Sequence, residues 1–118
     1  MDDPNQIELP ASFLALYTAP SGVRLTEPMS LVRERYELCE DIAQSLVDQA
    51  SMTLHRTGAG EHEVLATICR GLTGEGAVVE PKEAVWVARR LAELLGWDDP
   101  GDGIADGPTR GDPKQPRS

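Results

Sequence analysis

The longest stretch of this chain without proline or glycine runs from Met29 to Thr57. These two residue types are the strongest local breakers of regular structure, so their absence predicts one continuous helix over about residues 28–56. At about 1.5 Å per residue, this helix would be roughly 43 Å long. No other segment can form an element of that length, so the fold must be built around this helix.

Apolar side chains recur along the predicted long helix at alternating spacings of three and four residues. They are Met29, Val32, Tyr36, Cys39, Ala43, Leu46 and Ala50. Such a seam is typical of a helix that packs nearly parallel to its neighbours. Leu31, Leu38 and Ile42 widen the seam, so we expect contacts with more than one neighbour. A seam of this width also allows a homodimer.

Three shorter apolar patterns predict further helices at about residues 10–17, 61–71 and 81–95. The last begins at Pro81 and is followed by Gly96, which suits the left-handed position after a helix. Runs of aromatic and β-branched residues are rare, which disfavours strands. We therefore predict an all-α bundle of three to four helices with one long central helix.

The two ends of the chain differ from its middle. Residues 98–118 are rich in Gly, Pro, Asp and Arg, with Ile104 as their one large aliphatic side chain. Such a segment cannot bury enough apolar surface to offset the entropy of ordering it. We predict a single helical domain over residues 1–97, flexible at 1–8, and a disordered tail over 98–118.

The formal net charge is −9 for 118 residues. A nucleic acid would be repelled, because its affinity comes from Lys and Arg that neutralise phosphates. The acids and prolines of Met1–Pro10 predict no signal peptide, and no apolar run is long enough to span a bilayer, so we expect a cytoplasmic protein that binds no membrane. Cys39 and Cys69 are the only cysteines and form no disulfide framework.

Motifs that would carry catalysis or metal binding are missing. The run Gly71–Gly76 contains no lysine and follows a helix, unlike a phosphate-binding loop. Glu37, Glu40 and Asp41 cluster within about one turn, but on the polar face rather than pointing inward as a bundle metal site requires. Without a catalytic triad or a convergent acid–base group, we predict no enzymatic activity, no metal and no cofactor.

Trp86 stands on the polar side of the predicted helix 81–95, beside Arg89 and Arg90. Either the first helix folds back and covers it, or it anchors a protein partner, since Trp and Arg dominate interface hot spots. We favour the covering helix, because small domains seldom leave so much apolar area in water. The candidate contact residues for a partner are therefore Trp86, Arg89 and Arg90, together with the acidic Glu34, Glu37 and Asp41 of the long helix.

Three runs of the chain resemble short proteobacterial helical proteins, many of which carry the label "ATPase with chaperone activity". The runs are Ile7–Tyr17, Arg35–Ala43 and Val87–Trp97, so the resemblance spans roughly residues 7–97. Because the chain has neither a Walker A lysine nor room for a nucleotide-binding sheet, the resemblance implies an accessory that works beside an ATPase.

These observations predict a non-catalytic, cytoplasmic protein–protein interaction module or accessory protein, linked to a chaperone or another protein machine. Two alternatives belong to other classes. A small transcriptional regulator would use helices 61–71 and 81–95 as a helix-turn-helix, against which stand the long Gly-rich connection and the acidic charge. An all-α metal-binding protein would need inward carboxylates and histidines.

Overall fold

The computed structural model describes residues 9–22, 24–101 and 104. It contains α1 (Ala11–Leu16), α2 (Met29–Ser45), α3 (Val47–Thr57), α4 (Glu61–Leu72) and α5 (Pro81–Leu95). Extended structure in this described part is limited to an isolated antiparallel bridge between Thr18 and Leu25. The all-α prediction is therefore confirmed. None of these helices is long and apolar enough to cross a membrane.

The predicted long helix is present but bent, because α2 and α3 are separated at Leu46. The backbone N–H of Leu46 is shared between the carbonyl groups of Ile42 and Ala43, at 3.1 and 3.2 Å. The hydroxyl group of Ser45 also donates to the Ile42 carbonyl, at 2.8 Å. A serine that bonds back to its own helix competes with the backbone ladder and bends the helix. Neither proline nor glycine is needed for this bend.

The chain divides into two compact units, Met1–Leu38 and Cys39–Ser118. In the first unit, the buried ring of Phe13 lies 5.8 Å from the ring of Tyr17 and 5.6 Å from that of Tyr36. Offset and edge-on ring pairs of this kind stabilise a small core by about 0.5–1.5 kcal/mol each beyond their buried area. They attach α1 to the first half of α2.

The loop between α1 and α2 closes on itself through hydrogen bonds. The backbone N–H of Thr26 donates to the Tyr17 carbonyl at 2.6 Å, and that of Ala19 donates to the Arg24 carbonyl at 2.7 Å. Gly22 takes the left-handed conformation that the reversal of the chain requires.

In the second unit, α4 packs against α5, and α3 contacts both. The faces that meet are apolar and fully or nearly fully buried. They carry Val64, Leu65, Ala66 and Cys69 on α4, and Ala84, Val87, Ala88, Leu91 and Ala92 on α5. The alanines at every fourth position of α5 give it a smooth side, on which a neighbouring helix can lie close. Of the apolar pattern that predicts helix 81–95, Ala84, Val87, Ala88 and Leu91 lie in the core, whereas Leu94 and Leu95 are half-buried.

Helix α5 has well-defined ends. At its start, the backbone N–H of Glu80 donates to Oε1 of Glu83 at 2.9 Å. At its end, Gly96 has a φ of 77°, and the N–H groups of Gly96 and Trp97 donate to the carbonyl groups of Glu93 and Ala92. This arrangement is a Schellman motif, so the predicted role of Gly96 is confirmed.

The structure describes a few residues beyond α5. Asp98–Gly101 are described, and Ile104 is fully buried. The predicted disordered tail begins at residue 98, and its composition does not indicate that Ile104 is buried. The predictions for residues 1–8 and 105–118 concern segments outside the described residues, and the single domain over 1–97 stays a prediction.

Candidate functional site

Arg90 lies at the centre of a charged network in the second unit. Its Nε and Nη2 atoms donate to the two carboxylate oxygens of Glu40 on α2, at 2.8 and 2.9 Å. Its Nη1 atom donates to Glu93 at 2.9 Å, and Gln44 donates to Glu40 at 2.8 Å. The side chains of Arg90 and Glu40 are 28% and 20% exposed. The guanidinium group of Arg90 is therefore engaged in ion pairs within the fold.

The electrostatics of this network favour the charged form of both partners. The hydrogen bond from Arg90 lowers the pKa of Glu40, against the opposing effect of burial, with Gln44 adding to the decrease. The same bond raises the pKa of Arg90. A two-pronged contact between guanidinium and carboxylate is among the stronger charge-assisted hydrogen bonds in proteins. We infer that this pair fixes α5 against the last turns of α2.

Arg89 is also engaged by a carboxylate. Its Nε and Nη2 atoms donate to Asp99 at 3.0 and 2.8 Å, and the backbone N–H of Gly101 donates to the same carboxylate at 2.9 Å. The bond from Arg89 is the main reason why the pKa of Asp99 is lowered. The left-handed Gly96 turns the chain after α5, so that Asp99 comes back beside the helix. Arg89 and Asp99 are 39% and 60% exposed, more than Arg90 and Glu40, which makes this pair the weaker of the two.

Trp86 is buried, with 7% of its surface exposed. A side chain at this level of burial offers little area to a partner, so this conformation does not present Trp86 as an exposed anchor. The prediction that α1 covers it stays a prediction. Arg89 and Arg90, the predicted neighbours of Trp86, are both half-buried.

The acidic candidates on α2 have the opposite environment. Glu34, Glu37 and Asp41 are all exposed and follow one another at spacings of three and four residues, which places them on the same side of a helix. Within the described part of the chain, none of the three forms an ion pair or a side-chain hydrogen bond. Of the six predicted contact residues, these three present free charge to solvent.

The environment of Glu40 differs from the prediction, and the burial of Glu83 was not predicted. Glu40 was assigned to the polar face with Glu37 and Asp41, but it is mostly buried and bound to Arg90. The helical register could have indicated this burial. Glu40 lies four residues after Tyr36 and three before Ala43, which places it at the edge of the apolar seam. A long side chain at such an edge lies along apolar surface and reaches for a partner.

Glu83 is the second of these residues, and it is completely buried. Its carboxylate accepts the backbone N–H of Glu80, and the Glu80 side chain accepts the backbone N–H of Glu83 in return. Its spacing of three residues from Glu80, just after Pro81, is the sequence signal for a helix start. No sequence signal indicates that Glu83 is completely buried. We assign Glu83 to the structure of α5 rather than to a binding surface.

Both cysteines are buried and form no disulfide. Burial is the main cause that raises the pKa of Cys69, and the nearby charge of Arg70 opposes it only in part. A raised pKa leaves less thiolate at neutral pH, and thiolate is the reactive form. Cys69 therefore has the properties of a core residue rather than of a nucleophile.

The acidic cluster that a metal would need is divided by the fold. Glu40 is taken up by Arg90, whereas Glu37 and Asp41 point to solvent. Among residues 9–22, 24–101 and 104, no three histidine, cysteine, aspartate or glutamate side chains form a group that could hold a metal ion.

The resemblance noted for the three helical runs concerns parts of α1, α2 and α5. It assigns no chemical role to any side chain, so it stays a prediction about the kind of protein. Comparison with protein-family models, with curated proteins and with solved structures finds no match to this chain.

Proposed function

We propose that this chain is a non-catalytic protein-interaction module, or an accessory protein, that contacts its partner through the exposed carboxylates of α2. One observation carries the proposal. The arginines of α5 are occupied by carboxylates within the fold, whereas Glu34, Glu37 and Asp41 are exposed and unpaired in the described part. Among the six candidate contact residues, the charge available for recognition is therefore negative.

A surface of this kind favours a partner with a basic patch. The formal net charge of −9 steers such a partner toward the chain and repels nucleic acid and other acidic surfaces. For the same reason, a second copy of this chain is a poor occupant of the acidic side of α2. Charged pairs at the rim of an interface contribute mainly to association rate and specificity.

A link to a chaperone or another protein machine is part of this proposal, and the sequence resemblance supports it. An accessory without a catalytic site acts by binding, either to the machine or to what the machine handles. The exposed acidic side of α2 provides a surface for either contact.

The helix-turn-helix alternative has less support. The connection between α4 and α5 runs over residues 73–80, about twice the length of the three- or four-residue turn of that motif. The link Gly58–Gly60 between α3 and α4 has the right length, but α4 then begins with the exposed acids Glu61 and Glu63. In such motifs the start of the second helix contacts the bases, and carboxylates there would be repelled by phosphate.

The proposal is tested by capture from the native cell extract with three forms of the purified protein. The first is the wild type. The second carries Glu34→Gln, Glu37→Gln and Asp41→Asn. The third, as the matched control, loses the same charge elsewhere through Glu61→Gln, Glu63→Gln and Glu75→Gln, all at exposed positions. Retained proteins are quantified by mass spectrometry, and circular dichroism confirms that all three forms are folded.

We expect a protein that is retained by the wild type and the control and lost, by about tenfold or more, from the α2 variant. Removing three interfacial charges at about 0.5 kcal/mol each gives a loss of this order. If every retained protein binds the α2 variant as well as the wild type, the acidic side of α2 is not the contact surface.

A further inference from the structure

We draw no further inference here: the strongest candidate, the partly exposed side chain of Leu31 beside the carboxylates of Glu34 and Glu37 on α2, is one apolar group next to an acidic cluster, and nothing in the structure shows what covers it.

Discussion

The ion pair between Glu40 and Arg90 has the least exposed partners of the ion pairs found in the described part of the second unit, and it yields a quantitative prediction. Exposed ion pairs contribute about 0.2–1 kcal/mol, whereas breaking a fully buried pair costs about 3–5 kcal/mol. Glu40 and Arg90 are 20% and 28% exposed and share two hydrogen bonds. We therefore expect Glu40→Gln to lower the free energy of unfolding by about 1–2 kcal/mol.

A double-mutant cycle measures the pair itself. Glu40→Gln, Arg90→Met and the double variant are unfolded in urea at pH 7, and the coupling energy is calculated from the four free energies of unfolding. Arg90→Met keeps the apolar stem of the side chain, so the cycle isolates the charged contact. We expect a coupling of about 1–2 kcal/mol. Glu37→Gln, at an exposed site one turn earlier, is the control and should change stability by less than about 0.5 kcal/mol.

The same pair predicts a pH dependence. Because the pKa of Glu40 is lowered in the folded state, its contribution is fully present above its unfolded pKa of about 4.3 and is lost as the pH falls through its folded pKa. The wild type and the Glu40→Gln variant should therefore converge in stability at acidic pH. A coupling energy below about 0.3 kcal/mol at pH 7, or a stability difference that does not change with pH, would refute this reasoning.

Three further predictions concern the helical core of the second unit. Gly96→Ala should lower the free energy of unfolding in urea by about 1–2 kcal/mol, because Gly96 has a left-handed backbone conformation. Gly60→Ala, at an ordinary φ and with equal space for a methyl group, should lower it much less. Equal losses would contradict the capping role of Gly96. Ala88→Leu should lower the free energy of unfolding by about 1–3 kcal/mol, because the larger side chain overpacks a fully buried position. Ala15→Leu, at an exposed position of α1, should change it little. Equally stable variants would show that α5 is loosely packed. Cys69 should react with a thiol reagent at least tenfold faster in urea than in the native state, and a fast native reaction would contradict its burial.

Local sequence signals were enough to predict the helices. Proline at the start of α5 and glycine after it define that helix to the residue, since both act through backbone conformations that few other residues adopt. The bend at Leu46 was missed, because it depends on which carbonyl the Ser45 hydroxyl group selects. The acceptor of a serine hydroxyl group is decided in the folded chain and cannot be recognised from the sequence pattern.

The charged contacts were beyond what periodicity can predict. A helical register tells which residues share a side of one helix, and it correctly placed Glu34, Glu37 and Asp41 on an exposed side of α2. It cannot tell that Arg90 reaches a carboxylate fifty residues earlier in the chain. Pairing between helices depends on their relative rotation, which is fixed by packing.

The end of the folded part shows the same limit. The composition of residues 98–118 does not indicate that Asp99 binds Arg89 or that Ile104 is buried. A single ion pair and a single apolar side chain are too few to leave a pattern in the sequence. They matter here because the Schellman turn after α5 directs the chain back toward the helix.

The central claim, that the acidic side of α2 is the contact surface for a protein partner, is tested most directly by photo-crosslinking in the native cell. Benzoylphenylalanine is placed at position 37 on α2 in one form of the full chain and at position 63 on α4 in a second form, replacing an exposed glutamate in each case. Irradiation should give one defined adduct with a different protein from position 37 and none from position 63. The same adduct from both positions, or an adduct from position 63 alone, would contradict the claim.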